Sequence, residues 1–113
     1  MSDYRAHLHF LSISAQKVRL VVDQIRGMGA NEAMDVLRFT PRQAAVPVRK
    51  LLASAIANAE ENFGVSRDDL IVGTVFADEA PTRKWRRFGA RGRFKPVLRR
   101  SSHVTIVLRE RGA

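Results

Sequence analysis

Apolar and polar residues alternate at the start of the chain, where Tyr4, Ala6, Leu8 and Phe10 interleave with Arg5, His7 and His9. A period of two belongs to a half-buried strand, so residues 4–13 are expected to form one. The period then changes: Val18, Val21, Val22 and Ile25 recur at spacings of three and four, which predicts a helix over residues 15–26 with one apolar stripe. Ser12 or Ser14 is placed to cap its free amides. Gly27 and Gly29 are placed to end it, because glycine tolerates the left-handed conformation at a helix terminus. Asn31 is the expected cap of a short second helix carrying Ala33, Met34 and Leu37.

A third helix has a compound start signal. Thr40, Pro41 and Gln43 read as a cap, a proline in the first turn and a capping-box partner. Ala44, Val48, Leu51, Leu52, Ala55, Ile56 and Ala59 then trace a broad apolar face that runs out near Asn62 and Gly64. Its alanines allow close approach of a sheet or another helix. Pro47 interrupts the pattern; it lacks an amide proton and clashes with the preceding turn, so a kink is expected there. Residues 70–77 have strand composition and residues 104–108 are rich in β-branched side chains, giving two further strands. There is no internal repeat, and residues 1–113 are expected to be one domain, as their length suggests.

Charge changes this picture most. Half of residues 83–100 are Lys or Arg, nine in 18, and none is acidic: Arg83, Lys84, Arg86, Arg87, Arg91, Arg93, Lys95, Arg99 and Arg100. Residues 1–80 hold 9 basic and 10 acidic groups, whereas residues 81–113 hold 11 basic against Glu110 alone. The formal net charge of +9 is therefore concentrated in one stretch, which points to a densely negative partner, phosphate backbone first. Arginine's planar fork suits phosphate oxygens and stacking on bases, and Trp85, Phe88 and Phe94 are interleaved with the cations. The simplest connection between the last two strands is a long antiparallel hairpin, residues 81–100, turning near Gly89 to Gly92, on a body of residues 1–80 and 101–113. Arms of about nine residues would project about 30 Å. Such a ribbon repels itself and is expected to settle only when its charges are neutralised.

Composition narrows the alternatives. Hydrophobic residues make up 45% and aromatics 7%, which favours an aliphatic core. The chain has no cysteine, so disulfides, thiolate zinc sites and cysteine nucleophiles are excluded. No apolar run nears the roughly 18 residues of a membrane span, and no signal-peptide pattern opens the chain, so a soluble intracellular protein is expected. Gly89, Gly92 and Pro96 make the basic stretch a poor amphipathic helix, which sets membrane-surface binding aside.

The remaining polar constellations are weak as chemistry. His7 and His9 share one strand face, but no third ligand accompanies them, so a surface pair that touches RNA is preferred to zinc. His103 reads as a hydrogen-bonding structural residue where the hairpin rejoins the sheet. A triad of Ser102, His103 and Asp78 lacks both a nucleophile elbow and an oxyanion hole. Asp78 and Glu79 face opposite ways on a strand and suit the hairpin base better than acid/base work. Asp68 and Asp69 are expected to turn the loop before Leu70. Lys17, Arg19, Arg26, Arg49 and Lys50 read singly as solvated charges and together as an extension of the hairpin's footprint.

Four segments, in order along nearly the whole chain, resemble one family. Ser14-Ala15-Gln16-Lys17-Val18-Arg19-Leu20-Val21 is similar to the first-helix motif of bacterial large-subunit ribosomal protein twenty-two. Ser54-Ala55-Ile56-Ala57-Asn58-Ala59-Glu60 resembles its third-helix signature. Asp78-Glu79-Ala80-Pro81 and Ser102-His103-Val104-Thr105-Ile106-Val107 resemble its hairpin base and final strand. The resemblance implies an α+β fold, three helices packed on a small three-stranded sheet with a long protruding β-hairpin. It implies a structural, non-enzymatic constituent of the large subunit in the cytoplasmic ribosome, with no cofactor, metal, membrane or small-molecule substrate. Its implied partners are 23S rRNA, neighbouring large-subunit proteins and the nascent peptide in the exit tunnel, with a role in early subunit assembly.

By the same resemblance Arg83, Lys84, Arg86, Arg87, Arg99 and Arg100 contact rRNA, and Lys17, Arg19, Trp85, Arg91, Arg93, Lys95 and His103 join that set. Phe88, Gly89, Ala90, Arg91 and Gly92 form the tunnel tip. Phe88-Gly89-Ala90-Arg91-Gly92-Arg93 departs from the family's tip pattern by lacking its proline and first arginine, and Pro47 stands where an aliphatic residue is usual. Two other classes compete. One is a basic architectural protein that reads a DNA groove with its ribbon; the other is a small hydrolase centred on His103.

Overall fold

The structure, a computed structural model, describes residues 3–81, 83–88 and 94–111, with side chains for all of these except 83–88 and 94–99. In chain order the elements are β1 (Asp3–Leu11), α1 (Ala15–Ile25), α2 (Ala30–Phe39), α3 (Ala45–Phe63), a 3-10 turn (Arg67–Asp69), β2 (Leu70–Glu79), β3 (Arg83–Phe88), β4 (Phe94–Arg99) and β5 (Ser102–Glu110). Three helices and an antiparallel sheet of order β1-β5-β2 make an α+β arrangement, and β3 and β4 form a separate two-stranded antiparallel ribbon. The last strand lies in the centre of the sheet, so the chain end locks the two edges together. The ribbon lengthens the molecule: it measures 63 × 25 × 19 Å with a radius of gyration of 17.2 Å. A compact chain of this size would give about 13 Å.

The core forms where the apolar stripes meet the inner face of the sheet. Val18, Val21, Val22 and Ile25 of α1 and Val48, Leu52, Ala55, Ile56 and Ala59 of α3 pack on Tyr4, Val72, Val75, Val104, Ile106 and Leu108. Burying each branched side chain stabilises the fold by about 1.5–3 kcal/mol before cavity effects. The small residues of α3 let that helix lie close to β1 and β5. Tyr4 keeps its polar end satisfied by donating from its hydroxyl to Glu110 Oε1 at 2.7 Å, and its ring meets Phe63 at a centroid distance of 5.0 Å.

Several local expectations are corrected. α3 begins at Ala45, after a turn, so Pro47 is its third residue. A first-turn amide has no intrahelical carbonyl to meet, so the proline is accommodated there and the expected kink is not needed. Thr40 closes α2 instead of opening α3, donating from Oγ1 to the Val36 carbonyl at 2.6 Å. Gly29, not Asn31, precedes α2, and Asn31 donates from Nδ2 to Asp68 Oδ1 at 2.7 Å. Ser14 occupies the cap position of α1 without a side-chain cap; its carbonyl accepts from the Lys17 and Val18 amides. Gly27 and Gly64 do adopt the left-handed conformation at helix ends, with φ of 83° and 67°. The described ribbon strands, Arg83–Phe88 and Phe94–Arg99, have six residues each, about 20 Å, and the remainder of each projected arm lies outside the described residues.

Candidate nucleic-acid interface

The cationic stretch is held out from the sheet by a specific joint. β2 and β5 stay paired to Glu79 opposite Ser102, and the Ala80 amide donates to the Ser101 carbonyl at 3.0 Å. Pairing resumes with Arg83 opposite Arg99. Between the Ala80–Ser101 bond and the Arg83–Arg99 pair the outgoing arm has two chain positions and the returning arm one, the unequal count of a β-bulge. Pro81 at this point cannot donate to a ladder, which helps to end the body sheet. Around the joint, Ser14, Ala15, Gln16, Glu79, Arg100 and Ser101 line a cleft of about 250 Å³.

Beyond the joint the register pairs Arg83 with Arg99, Trp85 with Val97 and Arg87 with Lys95. On the alternate positions Lys84 pairs with Leu98, Arg86 with Pro96 and Phe88 with Phe94. Strand alternation therefore gives the ribbon two unlike sides. The pairs Arg83–Arg99 and Arg87–Lys95 fall in one alternate set of register positions, and like-charged residue types at opposed positions are unfavourable for an isolated ribbon. The tip positions Gly89, Ala90, Arg91, Gly92 and Arg93 lie outside the described residues.

On the body the site residues are dispersed. Lys17 is exposed beside Leu20 and Arg42. Arg19 is engaged structurally: its Nε donates to the Ala77 carbonyl at 3.1 Å. One helical repeat further on, Arg26 Nη2 donates to the Val75 carbonyl at 2.7 Å while its Nη1 donates to Asp23. Both carbonyls belong to β2, an edge strand, so α1 closes an edge that would otherwise invite another strand. Sequence periodicity could not reveal this, because it places cations on the outer side of α1 without saying what lies beside them.

His103 faces the opposite way from the helices, on the uncovered side of the sheet. Its Nδ1 accepts from the Phe10 amide at 3.1 Å, so its structural role is realised. Ser102 is fully buried on the inner side and donates to the Ile13 carbonyl at 2.9 Å, which separates it from His103 by the sheet itself. Those two residues cannot act as nucleophile and base. His7 and His9 do share one face: their rings stack at 6.0 Å, His9 meets His103 edge-on at 5.2 Å, and His7 Nδ1 lies 3.1 Å from Thr105 Oγ1. Among the described residues no group of three or more His, Asp or Glu is arranged to hold a metal ion.

Phe10 reverses its expected side. The pairing of β1 with β5 shifts between Leu8 and Leu11, Phe10 takes φ of 55°, and its ring turns outward onto His103 at 4.7 Å. A left-handed phenylalanine costs about 1–2 kcal/mol. Phe76 also lies on the uncovered side, because a second bulge at Gly73 shifts β2 against β5 between Val72 and Thr74. Gly73 carried a readable sign of that bulge; nothing marked Phe10.

The fold is thus a near-neutral α+β body with a ribbon of basic sequence leaving its sheet. A family model described as Ribosomal protein L22p/L17e matches residues 6–109, and the chain belongs to that family. It is a structural protein of the large ribosomal subunit, from a family of ribosome constituents rather than enzymes.

Proposed function

We propose that the chain binds large-subunit rRNA, 23S in bacteria, with its ribbon inserted among RNA helices, and that it takes part in early subunit assembly. The ribbon tip, residues 88–92, forms part of the peptide exit tunnel wall and meets the nascent chain, while the body sits against neighbouring large-subunit proteins. The carrying observation is the joint at Ala80 and Ser101, which directs a ribbon with nine cations and no acid in residues 83–100 away from a near-neutral body. Recruitment is electrostatic, and fit is set by shape. Arg83, Lys84, Arg86, Arg87, Lys95, Arg99 and Arg100 supply phosphate contacts, Trp85 a stacking surface, and Lys17 extends the contact from the body.

The test is binding of a large-subunit rRNA fragment across a salt series. Affinity should fall by about 0.7–0.9 log units per log unit of salt for each phosphate contact. Replacing Arg86, Arg87, Arg99 and Arg100 together by Gln should weaken binding and flatten that slope while the body stays folded. Unchanged affinity and slope would overturn the reading, and preference for duplex DNA in direct competition would replace it with an architectural DNA-binding role.

A further inference from the structure

We infer that the uncovered face of the three-stranded sheet is a second RNA-contact surface, on which Phe10, Phe76, His9 and His103 stack unpaired nucleotides. The inference rests on the rRNA-binding reading and extends it from the ribbon to the body.

The helices cover only one side of the sheet, and the other side carries exposed rings among the charges of Arg5, Asp78 and Arg109. Phe10 is 58% exposed and Phe76 39% exposed. In the register Phe76 stands opposite Thr105 and Thr105 opposite His7, while His103 stands opposite Asp78. Rings from all three strands thus occupy one surface. Exposed apolar rings held together serve contact with a partner rather than the monomer's core. The left-handed Phe10 adds a second observation: its backbone is strained, and the hydrogen bond from its amide to His103 holds the strained form with the ring outward. Strain kept in this way collects at ligand-contacting positions.

The chemistry of the face selects its occupant. Phe10 and His9 each meet His103 edge to face, at 4.7 and 5.2 Å, which fixes the three rings against one another; the outward faces of Phe10 and Phe76 suit unpaired, splayed bases, whereas a duplex offers no free base faces. Arg5 adds a cation beside His7, and Asp3, the carboxylate nearest it, is shared between Arg5 and Arg109. The face also runs through His103 and the Asp78 opposite it toward the joint where the cationic ribbon starts. A strand of RNA leaving the ribbon arms therefore meets the rings next.

The experiment uses the full chain and a short single-stranded oligoadenylate RNA carrying one central 2-aminopurine. Phe10→Gly removes a ring and relieves the strain, and Phe76→Ala removes an exposed ring, so the fold is kept; a urea midpoint no lower than wild type verifies it. The double variant should bind about tenfold more weakly with an unchanged salt slope, and the 2-aminopurine quenching seen with the unaltered chain should disappear. Phe76→Trp should restore quenching, which also decides the matter if Phe10→Gly disturbs the fold. Equal affinity and quenching in Phe76→Ala and the double variant would overturn the inference. The ribbon variant with four Gln substitutions separates the two readings: it should lose affinity and slope yet quench at saturation. If it binds normally while the ring variants fail, the ribbon reading falls and the sheet surface stands.

Discussion

Arg26 on α1 donates to the carbonyl of Val75 on β2 at 2.7 Å, and Arg19 repeats the contact with Ala77 at 3.1 Å. Each bond contributes about 1 kcal/mol as a charge-assisted contact at a partly exposed site. Arg19→Ala with Arg26→Ala should lower the urea midpoint by the equivalent of about 2 kcal/mol. It should also increase self-association in sedimentation, because the edge of β2 is uncovered. A variant that stays monomeric with the original midpoint would show that the edge needs no closing.

Pro47 tests the corrected start of α3. As the third helical residue it removes no hydrogen bond, so Pro47→Ala should change stability by less than about 1 kcal/mol. Ala53→Pro, at an exposed site two turns further in, should cost about 3 kcal/mol or more. Chemical denaturation of the two variants side by side checks the contrast.

Gly64 ends α3 with φ of 67°, and its amide donates to the Glu60 carbonyl. No heavy atom lies within 4 Å of the place an added Cβ would take, so only the backbone opposes a side chain there. Gly64→Ala should cost about 1 kcal/mol, a fall in Tm of about 4–8 °C for a small domain, readable by circular dichroism.

Ser102 ties the central strand to the segment before α1 through the Ile13 carbonyl. Ser102→Ala leaves that carbonyl without its buried partner and should cost about 1–3 kcal/mol. Ser102→Val should cost more, since the site is fully buried and has no room for the extra methyls. Equal stability of all three forms by urea titration would contradict the contact.

The repeating features of the fold were legible in the amino-acid pattern. Val18, Val21, Val22 and Ile25, and the face from Ala44 to Ala59, are buried as their spacing requires, because helix and strand periods are imposed by backbone geometry. Features that depend on one residue were not. Thr40, Pro41 and Gln43 satisfy the pattern of a helix start, yet Thr40 finds a nearer carbonyl at Val36, and local patterns cannot rank such competitors. Phe10 obeys the alternation of β1 until the bulge turns it over, and a bulge is set by pairing with β5, over ninety positions distant in the chain. At the interface the charge was legible and the geometry was not: cation density marked the ribbon, whereas the fixing of Arg19 to β2 needed the neighbouring strand in view.

The odd residue at the foot of the ribbon has a mechanical consequence. Two chain positions separate Ala80 from Arg83 where one separates Arg99 from Ser101, so spacer length sets which side of the finger looks which way. Deleting Thr82 would turn the Arg83, Trp85 and Arg87 positions to where Lys84, Arg86 and Phe88 had been, a half-turn of the whole projection without changing one contact in the body. Orientation is thereby keyed by the length of one short spacer, whereas the chemistry of the projection is set by the side chains along its arms.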